Sequence, residues 1–309
     1  MPANLDEIKP LLVQFQNSLG YTGVDAKAGN DRCALFEGMH REAARMGIPY
    51  PEGSYAWQSF QAGANYACVC YPSLPLEVRI YAGIITWLAI LVDKEGEEDP
   101  EAWHQFVPLF IAGGAKHHSN VARGWDRWLR LSYRLYSPVA ANTIITSCLN
   151  FTNACAVEGS EMPKMTCTKG GGSWAYYIRD KNGMAETYSL ISFPEAICPN
   201  HELYMEAIPD MVRYLCLVND LFSFYKEECA METRNYVRTR ASYEGVGVYE
   251  VLRQIMEETV DAHHRIMLVL EGKEPYARYW NEHALGYVSY HTTSERYKLR
   301  DMGLDESLP

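Results

Sequence analysis

The sequence is short of basic residues. Its 309 residues include 28 Lys and Arg against 39 Asp and Glu, which gives a formal net charge of −11. Nucleic-acid-binding proteins normally present a basic face, so this balance argues against a nucleic-acid partner. It does not argue against every anionic ligand, because divalent metals can lie between carboxylates and phosphate oxygens.

Long apolar runs are also missing. The longest, residues 80–92, is interrupted by Tyr81, Gly83 and Thr86 and is too short to span a bilayer. The first residues carry acids early and no basic stretch ahead of an apolar core, unlike a signal or transit peptide. We therefore expect a cytoplasmic protein with no stable membrane insertion.

Paired cysteines and alternating strand patterns are equally scarce. The nine cysteines include no CxxC pair, which favours buried free thiols over disulfides or a zinc site. Residues 176–178 could form a short strand, but no partner with strand alternation follows them. No internal repeat or low-complexity tract divides the chain.

Helical periodicity is what the sequence does contain, from end to end. It predicts one all-α domain over residues 1–309. The predicted helices are Leu5–Ser18, Arg32–Met46, Tyr55–Tyr71, Leu76–Val92, Glu101–Gly113, Asn120–Tyr136, Val139–Glu158, His201–Cys229, Val248–Leu270 and Ala277–Arg296.

Tyrosine and tryptophan are abundant, with 22 Tyr and 7 Trp against 9 Phe. Most of these rings are expected to pack in the core or at its edge. Some could instead line a pocket whose ring faces meet a cation, worth about 0.5 to 2 kcal/mol for each contact. Composition leaves both interpretations open.

The strongest local pattern is the spacing of Asn219, Ser223 and Glu227. At i, i+4 and i+8 these residues share one stripe of a helix, and their hard oxygen atoms suit magnesium. A solvated helix face can show the same spacing. The apolar residues between them, among them Phe222 and Phe224, disfavour that alternative.

The string NDLFSFYKE, residues 219–227, resembles the Asn/Asp-Asp-x-x-Ser-x-x-x-Glu metal motif of class I terpene synthases, in the form found in the fungal trichodiene synthase family. Later in the chain, Arg296-Tyr297 resembles the pair that closes over diphosphate in that family. Upstream, Arg179 resembles the diphosphate-sensing arginine before a helix break, and Gly183 is expected to supply that break.

The acidic end of the predicted helix Leu76–Val92 departs from the family pattern. An aspartate-rich metal motif is expected here, and Asp93 and Glu97 keep its outer spacing, but Lys94 replaces its second acid. We take Asp93 as a metal ligand and Glu97 as a weaker candidate. Lys94 either points away from the site or partly replaces the charge of a metal ion.

The resemblance implies an α-helical bundle around a central apolar pocket, and Mg²⁺ as the cofactor, with about three ions around the bound diphosphate. It implies cyclisation of an isoprenoid diphosphate, farnesyl diphosphate, to a sesquiterpene. The implied diphosphate-binding residues are Arg179, Lys226, Arg296 and Tyr297, and the candidate pocket residues are Tyr66, Tyr81, Trp87, Tyr214 and Tyr290.

Two other functions remain open at this point. A chain-elongating prenyltransferase would need two aspartate-rich motifs, whereas this sequence has one irregular acidic stretch. A non-catalytic relative that binds isoprenoid diphosphates is suggested by Lys94. A homodimer is also left open.

Overall fold

The computed structural model describes residues 4–114, 116–166, 168–232 and 234–308. These residues form no strand, which confirms the all-α prediction, and the segment 176–178 lies inside a helix. The α-helices are α1 Leu5–Ser18, α2 Arg32–Met46, α3 Tyr55–Cys70, α4 Leu76–Glu98, α5 Pro100–His104, α6 Phe106–Ile111, α7 Asn120–Leu131, α8 Pro138–Ser160, α9 Trp174–Asn182, α10 Ala185–Ile191, α11 Ile208–Cys229, α12 Tyr236–Glu244, α13 Val248–Val269 and α14 Tyr276–Thr292.

Several helices begin where local chemistry predicts. The Ser54 hydroxyl accepts a hydrogen bond from the Trp57 N–H and caps α3. Ser137 caps α8 in the same way, and Pro138 occupies its first turn, where no N–H is needed. These start signals place α3 and α8 correctly because they act over only a few residues.

Helix α4 is longer than predicted. It continues past Val92 to Glu98, so Asp93 lies within the helix and not after it. The apolar pattern stops at Val92, but the following acidic residues remain helical, and the buried Gly96 packs against Cys155 of α8. Packing against α8 therefore extends the helix beyond its apolar stretch.

Three short helices, α9, α10 and α12, were missing from the predicted set, and the segment 101–113 forms the two helices α5 and α6. Helix α11 begins at Ile208, after short 3₁₀ turns that the sequence pattern merged with it. Short helices contain too few turns to show a clear periodicity, so tertiary packing decides them.

Helices α3 and α4 lie in close contact at the centre of the bundle. A Cβ atom on Gly63 would lie 2.3 Å from the Gly83 carbonyl oxygen, so the two backbones approach as near as glycine permits. Residues of α4, α8, α9 and α11 line one polar cavity. None of the described helices is long and apolar enough to cross a membrane.

Candidate active site

A polar cavity of about 290 Å³ lies where these helices converge. Its described lining contains six carboxylates and two guanidinium groups, so its charge favours cations. The lining residues are Asp93, Glu97, Glu158, Met162, Arg179, Asn182, Asn219, Asp220, Glu227, Glu232, Arg234, Asn235 and Tyr236.

Helix α11 brings the predicted stripe to this cavity. Asn219 and Glu227 line it, and Ser223 is the intervening residue on the same stripe, with only 1% of its surface exposed. The Ser223 hydroxyl forms no hydrogen bond with any residue in the described ranges. A buried hydroxyl left in this way costs about 1–3 kcal/mol, and a bound metal ion would remove that cost.

The donor set is therefore an amide, a hydroxyl and a carboxylate. Within the described residues, no group of three His, Cys, Asp or Glu side chains is arranged to hold a metal ion. That statement does not cover the α11 stripe, because Asn219 and Ser223 are neutral oxygen donors and only Glu227 is of those four types. Such oxygen ligands fit magnesium, which keeps further positions for water and phosphate.

Asp93 lies across the cavity from α11. Its carboxylate is reached by solvent within the cavity, and it accepts a hydrogen bond from the Cys155 thiol at 3.6 Å. Surrounding protein raises the pKa of Asp93, while the charges of Arg296 and Lys226 oppose that rise. Both cations are therefore close enough to act on the same site as this carboxylate.

Glu97 also lines the cavity, one helical turn after Asp93. Burial raises its pKa, and the nearby Asp93 and Glu232 carboxylates raise it further. Lys94 points elsewhere: its Nζ lies 4.4 Å from the centre of the Tyr55 ring and 3.6 Å from a Glu98 carboxylate oxygen. Among the described residues, Lys94 thus forms no ion pair with either of the cavity carboxylates Asp93 and Glu97.

Arg179, on α9, is hydrogen-bonded on several sides. Its Nε donates to both Asp220 carboxylate oxygens at 2.8 and 3.0 Å, and Nη2 donates to the Cys216 carbonyl at 2.8 Å and to Asn219 Oδ1 at 3.1 Å. Its Nη1 donates to Asn182 Oδ1 at 3.2 Å. These bonds hold the guanidinium in one orientation at the cavity wall.

Burial raises the pKa of the Asp220 carboxyl, and the Arg179 guanidinium beside it lowers that pKa. Because arginine stays protonated and its Nε–H donates a bifurcated hydrogen bond to both Asp220 carboxylate oxygens, we assign the pair as charged. Asp220 therefore neutralises Arg179 from the side of α11.

The break between α9 and α10 was expected to come from the backbone of Gly183, but the residue with the unusual backbone conformation is the next one. Gly183 has an ordinary φ of −86°, and the left-handed residue is Met184, with φ of 49°. Glycine is required at 183 for another reason: a Cβ there would lie 2.7 Å from Arg179 Nη1 and 2.9 Å from Cys216 Sγ. Gly183 thus makes room for the arginine and for α11.

Glu158 contributes a further carboxylate from α8. It accepts a hydrogen bond from Asn182 Nδ2 at 2.7 Å. Burial raises its pKa to about 7, and the neighbouring Asp93 adds to the effect. Without a cation in the cavity, this carboxyl group is therefore partly protonated at neutral pH.

The remaining predicted diphosphate-binding residues meet at the end of α11. Lys226 Nζ lies 6.0 Å from the centre of the Tyr297 ring and 3.7 Å from a Glu227 carboxylate oxygen. Tyr297 and Arg296 lie in a 3₁₀ turn after α14. The exposed Arg296 guanidinium forms no hydrogen bond or ion pair with the other described residues, so it is available to an anion.

Next to these cations lies a cluster formed by the rings of Tyr66, Tyr188, Tyr287 and Tyr290, called the tyrosine cluster here. The Tyr66 ring centre is 4.8 Å from that of Tyr188 and 5.1 Å from that of Tyr290. Tyr290 in turn contacts Tyr297 at 5.9 Å. Two predicted pocket residues, Tyr66 and Tyr290, are thus brought together beside the predicted diphosphate-binding residues.

The other three pocket candidates lie in packed contacts outside the tyrosine cluster. Tyr81 stacks on Trp128, Trp87 packs against Phe60, and the Tyr214 hydroxyl donates to the Ala284 carbonyl. We expect these three side chains to act in core packing.

Sequence reasoning missed several residues of the site. Glu158 had a usable signal, since it is the only acid of the predicted helix Val139–Glu158 and ends it. Asn182 and Arg179 are spaced i, i+3, which also places them on one helix face. No sequence signal could have identified Tyr188, Tyr287 and His291, because their neighbours come from distant parts of the chain.

Known proteins are similar to this chain in sequence and in fold. A sequence model of the trichodiene synthase family matches residues 57–306. A longiborneol synthase of Gibberella zeae is 35% identical over 99% of this chain and 91% of its own length. Terpene synthase BipA of Cochliobolus sativus is 35% identical over 87% of this chain and 82% of its own length.

A solved structure shows the same fold at low identity. The linalool/nerolidol synthase of Streptomyces clavuligerus superposes with a TM-score of 0.68 at 11% identity, covering 87% of this chain and 98% of its own. This likeness agrees with the all-helical fold, and the family match covers most of the chain. The protein is a terpene synthase and belongs to the trichodiene synthase family of class I enzymes.

Proposed function

We propose that this terpene synthase uses magnesium to ionise farnesyl diphosphate and cyclises the carbocation to a sesquiterpene. One observation carries the proposal: a buried serine hydroxyl without a hydrogen-bond partner lies between two cavity-lining oxygen donors on α11. Its surroundings are rich in carboxylates, and the cations of Arg179 and Arg296 lie nearby. A metal-bound diphosphate needs this combination of groups.

Asn219, Ser223 and Glu227 would hold magnesium on the α11 side, and Asp93, with Glu97 as a weaker candidate, on the α4 side. Magnesium ions would supply Lewis-acid stabilisation of the charge on the departing diphosphate. The acidic excess of the cavity supports this assignment, because isolated carboxylates repel one another and the diphosphate.

The protein cations act directly on the leaving group. When the carbon–oxygen bond breaks, the diphosphate takes the electron pair and its negative charge grows. Arg179, Lys226 and Arg296 are positive beforehand, so they stabilise this charge without reorganisation. The Tyr297 hydroxyl would donate a further hydrogen bond. Because Arg179 is fixed by Asp220 and Asn182, it is preorganised for this task.

The carbocation left behind needs a site without water. The rings of the tyrosine cluster lie beside the proposed diphosphate-binding groups, and a cation over one of their faces would gain about 0.5 to 2 kcal/mol. Apolar and aromatic walls exclude water and hold the chain folded for ring closure. The final cation would lose a proton to give a hydrocarbon or capture water to give an alcohol.

The test is incubation of the purified protein with farnesyl diphosphate and magnesium, with diphosphate release and gas chromatography as readouts. We expect cyclic products that require magnesium. Geranyl diphosphate in a parallel reaction tests the chain length. Asn219→Ala and Glu227→Gln should lose turnover, and if both retain it, the α11 stripe is not the metal site.

Two further measurements test the alternative functions, a chain-elongating prenyltransferase and a non-catalytic relative. Addition of isopentenyl diphosphate should yield no longer prenyl chains, and longer chains would show a prenyltransferase. Binding of farnesyl diphosphate without diphosphate release would show a non-catalytic relative. The orientation of Lys94 away from the cavity speaks against the latter, because it leaves Asp93 free for metal binding.

A further inference from the structure

His291 lies behind the α11 stripe, fully buried near the end of α14. Its ring is enclosed by aromatic neighbours, with ring-centre distances of 4.3 Å to Tyr297, 4.6 Å to Tyr287 and 5.2 Å to Phe222. Nothing in the sequence pattern singles out this residue. One of its ring nitrogens, Nε2, nevertheless contacts Asn219, a predicted metal ligand.

The hydrogen bonds of His291 determine its tautomer. Nδ1 lies 2.7 Å from the Tyr287 carbonyl oxygen. A carbonyl oxygen can only accept, so Nδ1 carries the hydrogen and, in the neutral ring, Nε2 carries a lone pair. The ring is neutral because Arg179 Nη2 donates to Asn219 Oδ1, which leaves the amide NH₂ group facing Nε2, so that Nε2 has to accept.

The Nε2 lone pair then determines how Asn219 is oriented. Asn219 Nδ2 lies 3.3 Å from His291 Nε2 and donates to it. The other end of the amide, Oδ1, accepts from Arg179 Nη2 at 3.1 Å. An arginine can only donate, so both neighbours of the amide require the same orientation, with Oδ1 on the cavity side.

We propose that His291 is a positioning residue, which holds the Asn219 side chain so that its oxygen, and not its NH₂ group, faces the metal site. This inference rests on the proposed function, in which Asn219 Oδ1 binds magnesium. A reversed amide would present an NH₂ group to the cation and remove one oxygen ligand. The reversed amide would place its oxygen against the Nε2 lone pair, because the Tyr287 carbonyl keeps the ring hydrogen on Nδ1.

The test measures metal affinity without turnover. Magnesium is titrated into the full-length protein with inorganic pyrophosphate, and the magnesium concentration that gives half of the ligand-dependent rise in melting temperature is recorded. His291→Phe keeps a buried ring but lacks the acceptor. It should raise this concentration roughly 10- to 100-fold, the usual effect of losing an outer-shell partner.

Two variants, His291→Gln and His291→Asn, distinguish a positioning role of His291 from a role in packing. In His291→Gln the Oε1 atom can occupy the place of Nε2 and accept from Asn219, so we expect a concentration close to that of the wild type. In His291→Asn the amide reaches only as far as Nδ1, so we expect the defect of His291→Phe. This pair decides the matter even if His291→Phe fails to fold.

The control for loss of a buried imidazole is His263→Phe. His263 lies on α13, its ring packs against Tyr214, and it is outside the cavity lining. This variant should keep the wild-type magnesium concentration. The melting temperature without ligands is measured for every variant.

Asn219→Ala distinguishes failure of this inference from failure of the proposed function. If Asn219→Ala raises the magnesium concentration and His291→Phe does not, the positioning role is overturned and the metal assignment remains. If Asn219→Ala itself matches the wild type, the metal assignment fails and the role of His291 fails with it. Equal defects in the Gln and Asn variants would also overturn the positioning role.

Discussion

The Ser223 hydroxyl is a group of the site that should matter for ligand binding but not for stability. It is 1% exposed and forms no hydrogen bond with the described residues. Removing a buried polar group that lacks a partner does not cost stability. Its position on a helix face between two other oxygen donors therefore supports the proposed role in metal binding.

For Ser223→Ala we expect a free energy of unfolding, measured by urea in EDTA, equal to the wild type or up to about 1 kcal/mol higher. Magnesium-dependent turnover should fall by about 100-fold or more, since even outer-shell partners cost about 10- to 100-fold. Thr259→Val is the control, because this buried hydroxyl on α13 donates to the Ile255 carbonyl. Full turnover in Ser223→Ala would exclude Ser223 as a ligand.

The Asp220–Arg179 pair is important to stability as well as to the site. Asp220→Asn leaves the Arg179 guanidinium, 11% exposed, without its counter-ion. We expect the free energy of unfolding to fall by about 3–5 kcal/mol in a urea titration at neutral pH.

Asp210→Asn is the matched control for Asp220→Asn. Asp210 also lies on α11 and pairs with an arginine, but the Arg265 side chain is 50% exposed. Loss of this exposed ion pair should lower the free energy of unfolding by about 1 kcal/mol or less. Equal effects of the two variants would show that burial of the Arg179 pair is not what makes it important.

At the scale of elements, the break between α9 and α10 allows α11 to approach Arg179 closely. In Gly183→Ala the new Cβ would meet Arg179 Nη1 at 2.7 Å and Cys216 Sγ at 2.9 Å. The arginine or α11 must then shift, and we expect a loss of about 1–3 kcal/mol of stability together with reduced turnover.

Gly170→Ala, measured beside Gly183→Ala by thermal unfolding and diphosphate release, is the control. Gly170 lies in an exposed connector, and a Cβ there meets nothing within 4 Å. Wild-type turnover in Gly183→Ala would show that the close approach to Arg179 has no catalytic importance.

The end of helix α4 orients Asp93 and Lys94 in different directions. Because Lys94 contacts Tyr55 and Glu98 outside the cavity, Lys94→Ala should change stability by no more than about 0.5 kcal/mol and leave the magnesium dependence of turnover unchanged. Diphosphate release at increasing magnesium concentration checks this. A lowered magnesium requirement would mean that the lysine partly replaces a metal ion.

At the scale of the whole molecule, an acidic protein gathers six carboxylates around one cavity, so pH affects its stability through that cavity. Burial raises the pKa of Glu158 from 4.5 to about 7, so the folded protein favours the protonated form. The stability that this group contributes is present below about pH 4.5 and is lost as the pH rises through about 7.

Glu158→Gln should remove this dependence. In EDTA, we expect the variant to gain stability relative to the wild type as the pH rises from 5 to 8, by up to about 3 kcal/mol. Thermal and urea unfolding across that range provide the measurement. Glu161→Gln, an exposed carboxyl just after α8, is the control and should behave as the wild type. Parallel curves for Glu158→Gln and the wild type would contradict the assigned burial.

The sequence alone determined the helical class and the stripe Asn219, Ser223 and Glu227. Both depend on spacing within one helix, where 3.6 residues per turn relate position in the chain to position on a face. The start of α3 and that of α8 follow for the same local reason, because a cap acts on the next few residues.

Only the tertiary structure decided what surrounds that stripe. The direction of Lys94, the need for glycine at 183, and the contacts of Glu158 and His291 all depend on side chains from helices far apart in the chain. Helical periodicity indicates which face of a helix is apolar but not which helix it meets. Charge pairing and close packing between helices are set by the assembled bundle, and they complete the site.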